Sequence, residues 1–497
     1  MTVQREGLYR AVFSSYGGSP VEFTLLNPQY KVTVEGKDVP INMVRPEAAF
    51  PPFAVTFMTA GGANERSDFD LAPDAAWTQE PSSDPNVLVY GVDIGGVHVT
   101  KKWELPSSGY RVGLTVTVEN RGSAKPVDHH LIMTMSGWQD PSVKPGGFLS
   151  FGKRQNTSSG ECDLAGKVHR LGLDDSISKP FGEAGDVKWV GIGEQYFTSA
   201  LAFAPVAEGR YCTVHGEPNG RLYARAVFPS RSVAQGQKVE YAMAGFVGPK
   251  LLGQLDAVTV GGVDANLGAS VNYTLEWLAR PMLWVLQKIQ RVTINWGLAI
   301  IVITILLKAL LFYPNQRSMR SAKKMAALKP QLDKLKERSG DDKQAFYLAQ
   351  QKLFKENGVS MFGGCLPMLL QMPIYFAFYS MLGNAVEIYH ARFIPPMDDL
   401  TASFAPLAIA TGVLMFVQQK ISPTSPDSQQ QKMMMYMMPV MFMVFTLFLP
   451  SGLTLYILTN TLLTMAQQWW INRSEPTPAP TGKSKTGKPA GAKPARA

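Results

Sequence analysis

The sequence predicts a two-part chain: an all-β sandwich, then an α-helical polytopic membrane domain of five spans carrying a cytoplasmic helical hairpin. Three observations predict it. Residues 20–250 alternate apolar and polar positions between Gly, Pro, Asn and Asp; five apolar runs follow residue 290; and the charge changes sign between the two regions. Residues 1–280 carry 25 Lys and Arg against 29 Asp and Glu, whereas residues 281–497 carry 23 against 10. The average over 497 residues, 45% hydrophobic with a net charge of +9, hides this division. Positive charge that brackets apolar runs reads as membrane topology and not as DNA binding. Three cysteines, Cys162, Cys212 and Cys365, exclude a disulfide-stapled scaffold and the usual four-ligand zinc spacings.

The first element is an external domain, residues 1–270. Val112–Glu119 alternates strictly, and Val87–Ile94 and His98–Leu105 are similar, which predicts a large antiparallel sandwich. His129 and His130 have only Asp128 nearby as a further ligand type, so they read as a surface or core pair and no metal is expected. Cys162 and Cys212 would share an oxidising compartment and could bridge, but spacing alone does not give the geometry.

Residues 271–292 place Leu275, Leu278, Met282, Leu286 and Ile289 on one helical stripe. The stripe is expected to lie flat on the outer membrane face; the alternative is a helix packed on the sandwich. Residues 293–472 then hold the spans Ile294–Phe312, Phe362–Leu382, Phe404–Gln419, Met433–Leu449 and Gly452–Ile471. A span needs roughly 17–25 residues. The connections and tail on one side carry 19 Lys and Arg, those on the other only Arg392, which sets the first side as cytoplasmic. Five spans then put the sandwich outside. An external domain needs an export signal, and residues 1–20 have no apolar core, so a further N-terminal signal anchor is expected to have been lost from the chain.

Residues 314–361 form the cytoplasmic hairpin, with eleven Lys and Arg. Met325, Leu328, Leu332 and Leu335 mark its first helix, which Pro330 is expected to kink and Gly340 to end. Asp341 and Gln344 make a capping-box-like start for the second helix. The positive face is either a solvated consequence of topology or a docking surface for anionic lipids, RNA or an emerging chain. Residues 473–497, rich in Pro, Lys, Gly and Ala, are expected to be a disordered basic tail.

Lys308 lies inside the first span, and a charge there is a functional hypothesis by default. The plain alternative is a side chain that snorkels to the surface. Thr304 shares its helical face, and other spans supply Gln371, Tyr456 and Asn460, as a wet internal cavity would require.

Asn295-Trp296-Gly297, Thr304 with Lys308, Gly340–Gln344, Gly363–Pro367, Gln371-Met372-Pro373, Ile421–Pro423 and Pro450–Leu453 follow in an order and spacing that resemble the YidC family of membrane protein insertases. The likeness runs from about residue 290 to 473, and the sandwich with five later spans is similar to the Gram-negative form, whose extra first span would be the missing piece. It implies a non-enzymatic insertase and chaperone of the bacterial inner membrane, with a periplasmic sandwich and no cofactor. Its expected partners are nascent membrane proteins, the ribosome, the Sec translocon and anionic lipids, and it would act as a monomer. Lys308 would stand where the family has a groove arginine, keeping the charge without the planar fork. Thr304, Gln371, Tyr456 and Asn460 would line the groove, and Met372, Pro373, Phe442 and Phe445 would form the slide for the client's apolar segment. Ile457 stands where a second aromatic is often found, and Pro314 falls one residue late.

Rival classes have weaker support. A secondary transporter or channel using Lys308 as counter-ion would show inverted repeats, and none is visible among the spans. A tethered sugar-processing enzyme needs a pair of catalytic carboxylates, and no convincing pair is found. Thr481–Ser484 has the form of a phosphate loop, but Thr477 replaces the glycine it requires.

Overall fold

Alternation in the first half of the chain becomes antiparallel strands whose inward residues form the core. The computed structural model describes residues 1–34, 36–60, 62, 65–143, 157–340, 342–357, 366–421 and 429–474. Asp341, Phe362, Cys365, Ser422-Pro423 and the tail beyond Ser474 lie outside the described residues. Two compact units result. The first joins Met1–Leu283 to Tyr379–Ala402; the second is Trp284–Phe378 with Ser403–Ala497.

In the first unit one sheet runs Lys167–Gly172, Ser159–Leu164, Val187–Gly193, Phe197–Phe203, Lys238–Pro249, Arg111–Asn120, Val97–Glu104, Val87–Ile94 and Thr78–Glu80. A second runs Phe181–Gly185, Arg210–Gly216, Arg221–Val227, Ile132–Trp138 and Ala54–Thr56. The predicted alternation holds: Val112, Leu114, Val116 and Val118 are each at most 2% exposed. The same period turns Lys101 inward, where its ammonium donates to Gly17 O at 3.1 Å, Ser19 Oγ at 2.5 Å and Phe53 O at 2.6 Å. Burial holds its pKa well below the usual lysine value. Cys162 and Cys212 are bridged, with Cα atoms 6.7 Å apart, and tie the two sheets together.

Of the histidine pair, His129 belongs to the core and His130 is half-buried. His129 is fully buried, its Nε2 2.9 Å from the Tyr241 hydroxyl, and its ring lies among Phe57, Phe69 and Tyr241. The His130 Nδ1 lies 2.9 Å from Phe228 O.

Segment Tyr379–Ala402 is bound into the first unit by its backbone. Gln29 Nε2 donates to Glu387 O at 3.0 Å and Tyr389 O at 2.6 Å, and Gln195 Nε2 donates to Gly383 O. The Tyr389 hydroxyl donates to Lys31 O at 2.9 Å, and its ring meets Phe197 edge-on at 5.4 Å. Ala385, Val386 and Ile388 are buried.

Helix Glu276–Thr293 corrects one expectation about its faces. Met282 and Leu286 of the expected lipid stripe are buried in the protein, together with Ala279 and Leu283. The exposed face carries Trp277, Trp284, Lys288, Arg291 and Val292, with the Lys288 ammonium 5.4 Å from the Trp284 ring.

In the second unit the described helices are Trp296–Leu310, Phe312–Ala327, Lys329–Ser339, Lys343–Glu356, Leu366–Asn384 up to Phe378, Ala405–Ile421, Gln429–Thr446 and Ser451–Ser474. Among the described residues no single helix is both long and apolar enough to cross a membrane alone. The pair Trp296–Leu310 and Phe312–Ala327 meets that test together, bent by 62°. Pro330 does not kink a helix; the chain breaks at Leu328, and Pro330 sits in the first turn of the next helix, where its missing N–H costs nothing. In the following helix the Asp342 side chain accepts from Gln344 N and Ala345 N as its cap. Leu328 and Phe354 pack the two helices together with Met325 and Leu332. Gly412 lets Ala405–Ile421 approach Gln429–Thr446, because a Cβ there would fall 2.5 Å from Met443 Cβ.

With Cys162 and Cys212 bridged, the denatured chain is expected to titrate one thiol before reduction and three after; three before reduction contradicts the bridge. Burial lowers the His129 pKa from 6.5 to about 4. As pH falls through that window the unfolded chain takes up a proton the folded chain refuses, so stability drops by up to about 3 kcal/mol. Thermal unfolding from pH 7 to 4 is expected to show this loss in the wild type and a shallower one in His129→Gln; equal slopes contradict it.

Candidate functional site

The site begins with a helix start. Ile294 takes a positive φ of 57°, and the Asn295 side chain accepts from Leu298 N at 3.0 Å, capping helix Trp296–Leu310. Gly297, Ile300 and Thr304 fall on the buried face. Lys308 follows Thr304 by one turn, on the same face. The helix cannot run on to Phe312 as expected. Pro314 has no N–H for the carbonyl of Leu310 and its ring would strike that group, so the chain breaks at Leu311 and restarts at Phe312. Gln467 Nε2 donates to Phe312 O at 3.3 Å beside the break.

Helix Ser451–Ser474 packs along this bent pair. Tyr456, Asn460 and Thr464 recur every fourth residue on it, so they share one face. The half-buried Lys308 ammonium donates to Thr464 Oγ1 at 2.8 Å and to Asn460 Oδ1 at 3.3 Å. Among the described residues it pairs with no carboxylate. Lys308 and Asn460 are thus brought together, and Thr464 is the member that sequence reading missed. The signal was present in the four-residue repeat after Tyr456.

The other expected groove residues sit differently. Thr304 is 1% exposed and its hydroxyl donates to Ile300 O at 2.6 Å, so its proton is spent within its own helix. Tyr456 is 3% exposed; its ring stacks on Phe378 at 4.3 Å between centroids, and its hydroxyl is hydrogen-bonded to Gln371. Gln371 and Tyr456 form a second polar contact, one turn from Asn460. Met372 and Pro373 are exposed on helix Leu366–Asn384, and Phe442 meets Phe445 edge-on at 6.3 Å. Among the described residues no group of His, Cys, Asp and Glu is arranged to hold a metal ion.

Residues 3–285 match the profile of the YidC periplasmic domain, and residues 288–478 match that of the 60Kd inner membrane protein. The chain belongs to the YidC family of membrane protein insertases. A relative from Anaeromyxobacter sp. (strain Fw109-5), named Membrane protein insertase YidC, is 32% identical over 96% of this chain and 85% of its own. One of the same name from Marinomonas sp. (strain MWYL1) is 31% identical over 93% of this chain and 83% of its own. A solved structure described as an active YidC insertase with the first transmembrane domain resolved aligns over 94% of each chain, at 17% identity and a TM-score of 0.38. The chain is therefore a YidC-family membrane protein whose N-terminal β-sandwich is the YidC periplasmic domain.

Because Tyr456 is held mainly by stacking, Tyr456→Ala is expected to destabilise the protein by about 3–5 kcal/mol, and Tyr456→Phe by about 1 kcal/mol. Thermal unfolding of the purified protein in detergent measures both; equal losses would contradict the stacking role.

Proposed function

We propose that this YidC-family chain speeds the entry of nascent membrane proteins into the bacterial inner membrane through a polar groove around Lys308. A polar client segment that crosses hydrocarbon loses its hydrogen bonds to water, and one acidic residue costs about 2.5–3.5 kcal/mol at the bilayer centre. A groove that lowers this penalty accelerates insertion about tenfold for each 1.4 kcal/mol without any bond change. The observation that carries the reading is the Lys308 ammonium, held by two neutral oxygens and by no carboxylate among the described residues. Such a cation has electrostatic attraction left for an acidic client residue. Asn460 and the Gln371–Tyr456 pair would offer the polar surroundings, and the exposed Met372 and Pro373, with Phe442 and Phe445, a path for the apolar segment.

In this reading the five apolar runs span the membrane, with the helical pair 329–356 and the basic tail cytoplasmic; the uneven Lys and Arg count supports that orientation. The hairpin and tail then face the ribosome and anionic lipids. Helix Glu276–Thr293 lies at the outer interface on its Trp277, Trp284 and Lys288 face, since tryptophan and basic residues suit the headgroup region. The chain works as a monomer, alone or beside the Sec translocon.

Lys308→Arg is expected to retain insertion, whereas Lys308→Ala and Lys308→Glu lose about tenfold or more for clients with acidic outer segments. Protease protection of newly made clients in membrane vesicles measures it. Normal insertion of every client by Lys308→Ala would remove the groove role of that residue.

A further inference from the structure

Lys101 and Lys308, each turned inward in its own unit, are held differently. Lys101 gives its three protons to Gly17 O, Ser19 Oγ and Phe53 O, so none is left over. Lys308 donates to Thr464 Oγ1 and Asn460 Oδ1, and the described residues offer its third proton no acceptor. The direction of the Thr464 bond is fixed by its neighbour. Its hydroxyl donates to Asn460 O at 2.6 Å, so only lone pairs remain and it can only accept from the ammonium. Asn460 lies one turn earlier on the same face and presents its amide oxygen to the same cation.

We infer that Thr464 is a positioning and specificity-determining residue for insertion: with Asn460 it fixes the Lys308 ammonium so that one N–H stays free for a single client carboxylate oxygen. Two neutral acceptors hold the cation without cancelling its charge, which a carboxylate in either place would do. A flexible lysine stem gains from them the fixed direction that an arginine fork has built in. The inference rests on the reading of Lys308 as the group that attracts acidic client segments. It predicts that discrimination between acidic and neutral clients depends on the Thr464 oxygen and not on its shape.

The test uses the full chain in membrane vesicles and two single-span clients identical except for Asp or Asn in the outer segment. The measured quantity is the ratio of protease-protected Asp client to Asn client. Thr464→Val keeps the shape and removes the acceptor, and is expected to lower that ratio about tenfold; Thr464→Ser is expected to keep it within about twofold of wild type. Asn460→Asp, nearly isosteric, places a carboxylate on the ammonium and is expected to lower the ratio as Thr464→Val does. Lys308→Ala runs alongside. If Lys308→Ala lowers the ratio and Thr464→Val does not, the positioning role is wrong while the role of Lys308 stands. If Thr464→Val and Thr464→Ser fail alike, or both clients fall equally, Thr464 serves packing alone and the inference is overturned. If Asn460→Asp leaves the ratio unchanged, the free N–H is not what clients use. An unchanged ratio in Lys308→Ala removes the reading on which the inference stands.

Discussion

An ammonium withdrawn from bulk water keeps its charge only while oxygens accept its protons, and the kind of oxygen decides what the cation can still do. A carboxylate would satisfy Lys308 and silence it. Thr464 and Asn460 satisfy it in part and leave its charge uncancelled. The local structure serves that arrangement. Asn295 caps the helix that carries the lysine, and Pro314 ends it three residues after Lys308 at Leu311. The four-residue repeat of Tyr456, Asn460 and Thr464 lays a polar face alongside it. Stacking of Tyr456 on Phe378 keeps that helix face in place.

The sandwich contributes rigidity of a different kind. Three features tie its interior: Lys101 has three acceptors, His129 is neutral against Tyr241, and Cys162–Cys212 joins the sheets. On this platform the segment Tyr379–Ala402 is held through Gln29, Gln195 and Tyr389. The segment's own main-chain carbonyls accept three of these four bonds, so the segment is fixed largely by its path and tolerates change in many of its side chains. The segment Tyr379–Ala402 is therefore a built part of the first unit, and not a loose loop.

Sequence reading succeeds where one periodicity controls the outcome. The alternation over Val112–Glu119 placed its buried residues, and apolar runs marked the helices within a few positions. Asn295 and Pro314 also act by local rules, although an apolar run alone does not mark the break at Leu311. It fails where long-range packing decides. The face of helix Glu276–Thr293 is an example: an aliphatic stripe fits a protein interior as well as lipid, and here Met282 and Leu286 took the interior. The bridge between Cys162 and Cys212 depends on two sheets meeting, which spacing does not encode. Of the residues expected to line a groove, the partnership of Lys308 with Asn460 was legible from polar positions in apolar runs. Thr464 was passed over because a lone threonine near a helix end is ordinary until its four-residue phase with Asn460 is counted.

The central claim is that client polar segments meet the Lys308 face and not the apolar surface elsewhere on the helices. Photocrosslinking from single probe residues at the half-buried positions 311 and 371, which leave Lys308, Asn460 and Thr464 intact, to a membrane protein stalled on ribosomes tests it directly, with exposed Val440 and Val444 as comparison sites. The account predicts strong adducts from the first set to the client's acidic outer segment and weak ones from the second. Equal adducts from both sets, or none from 311 and 371, would contradict it.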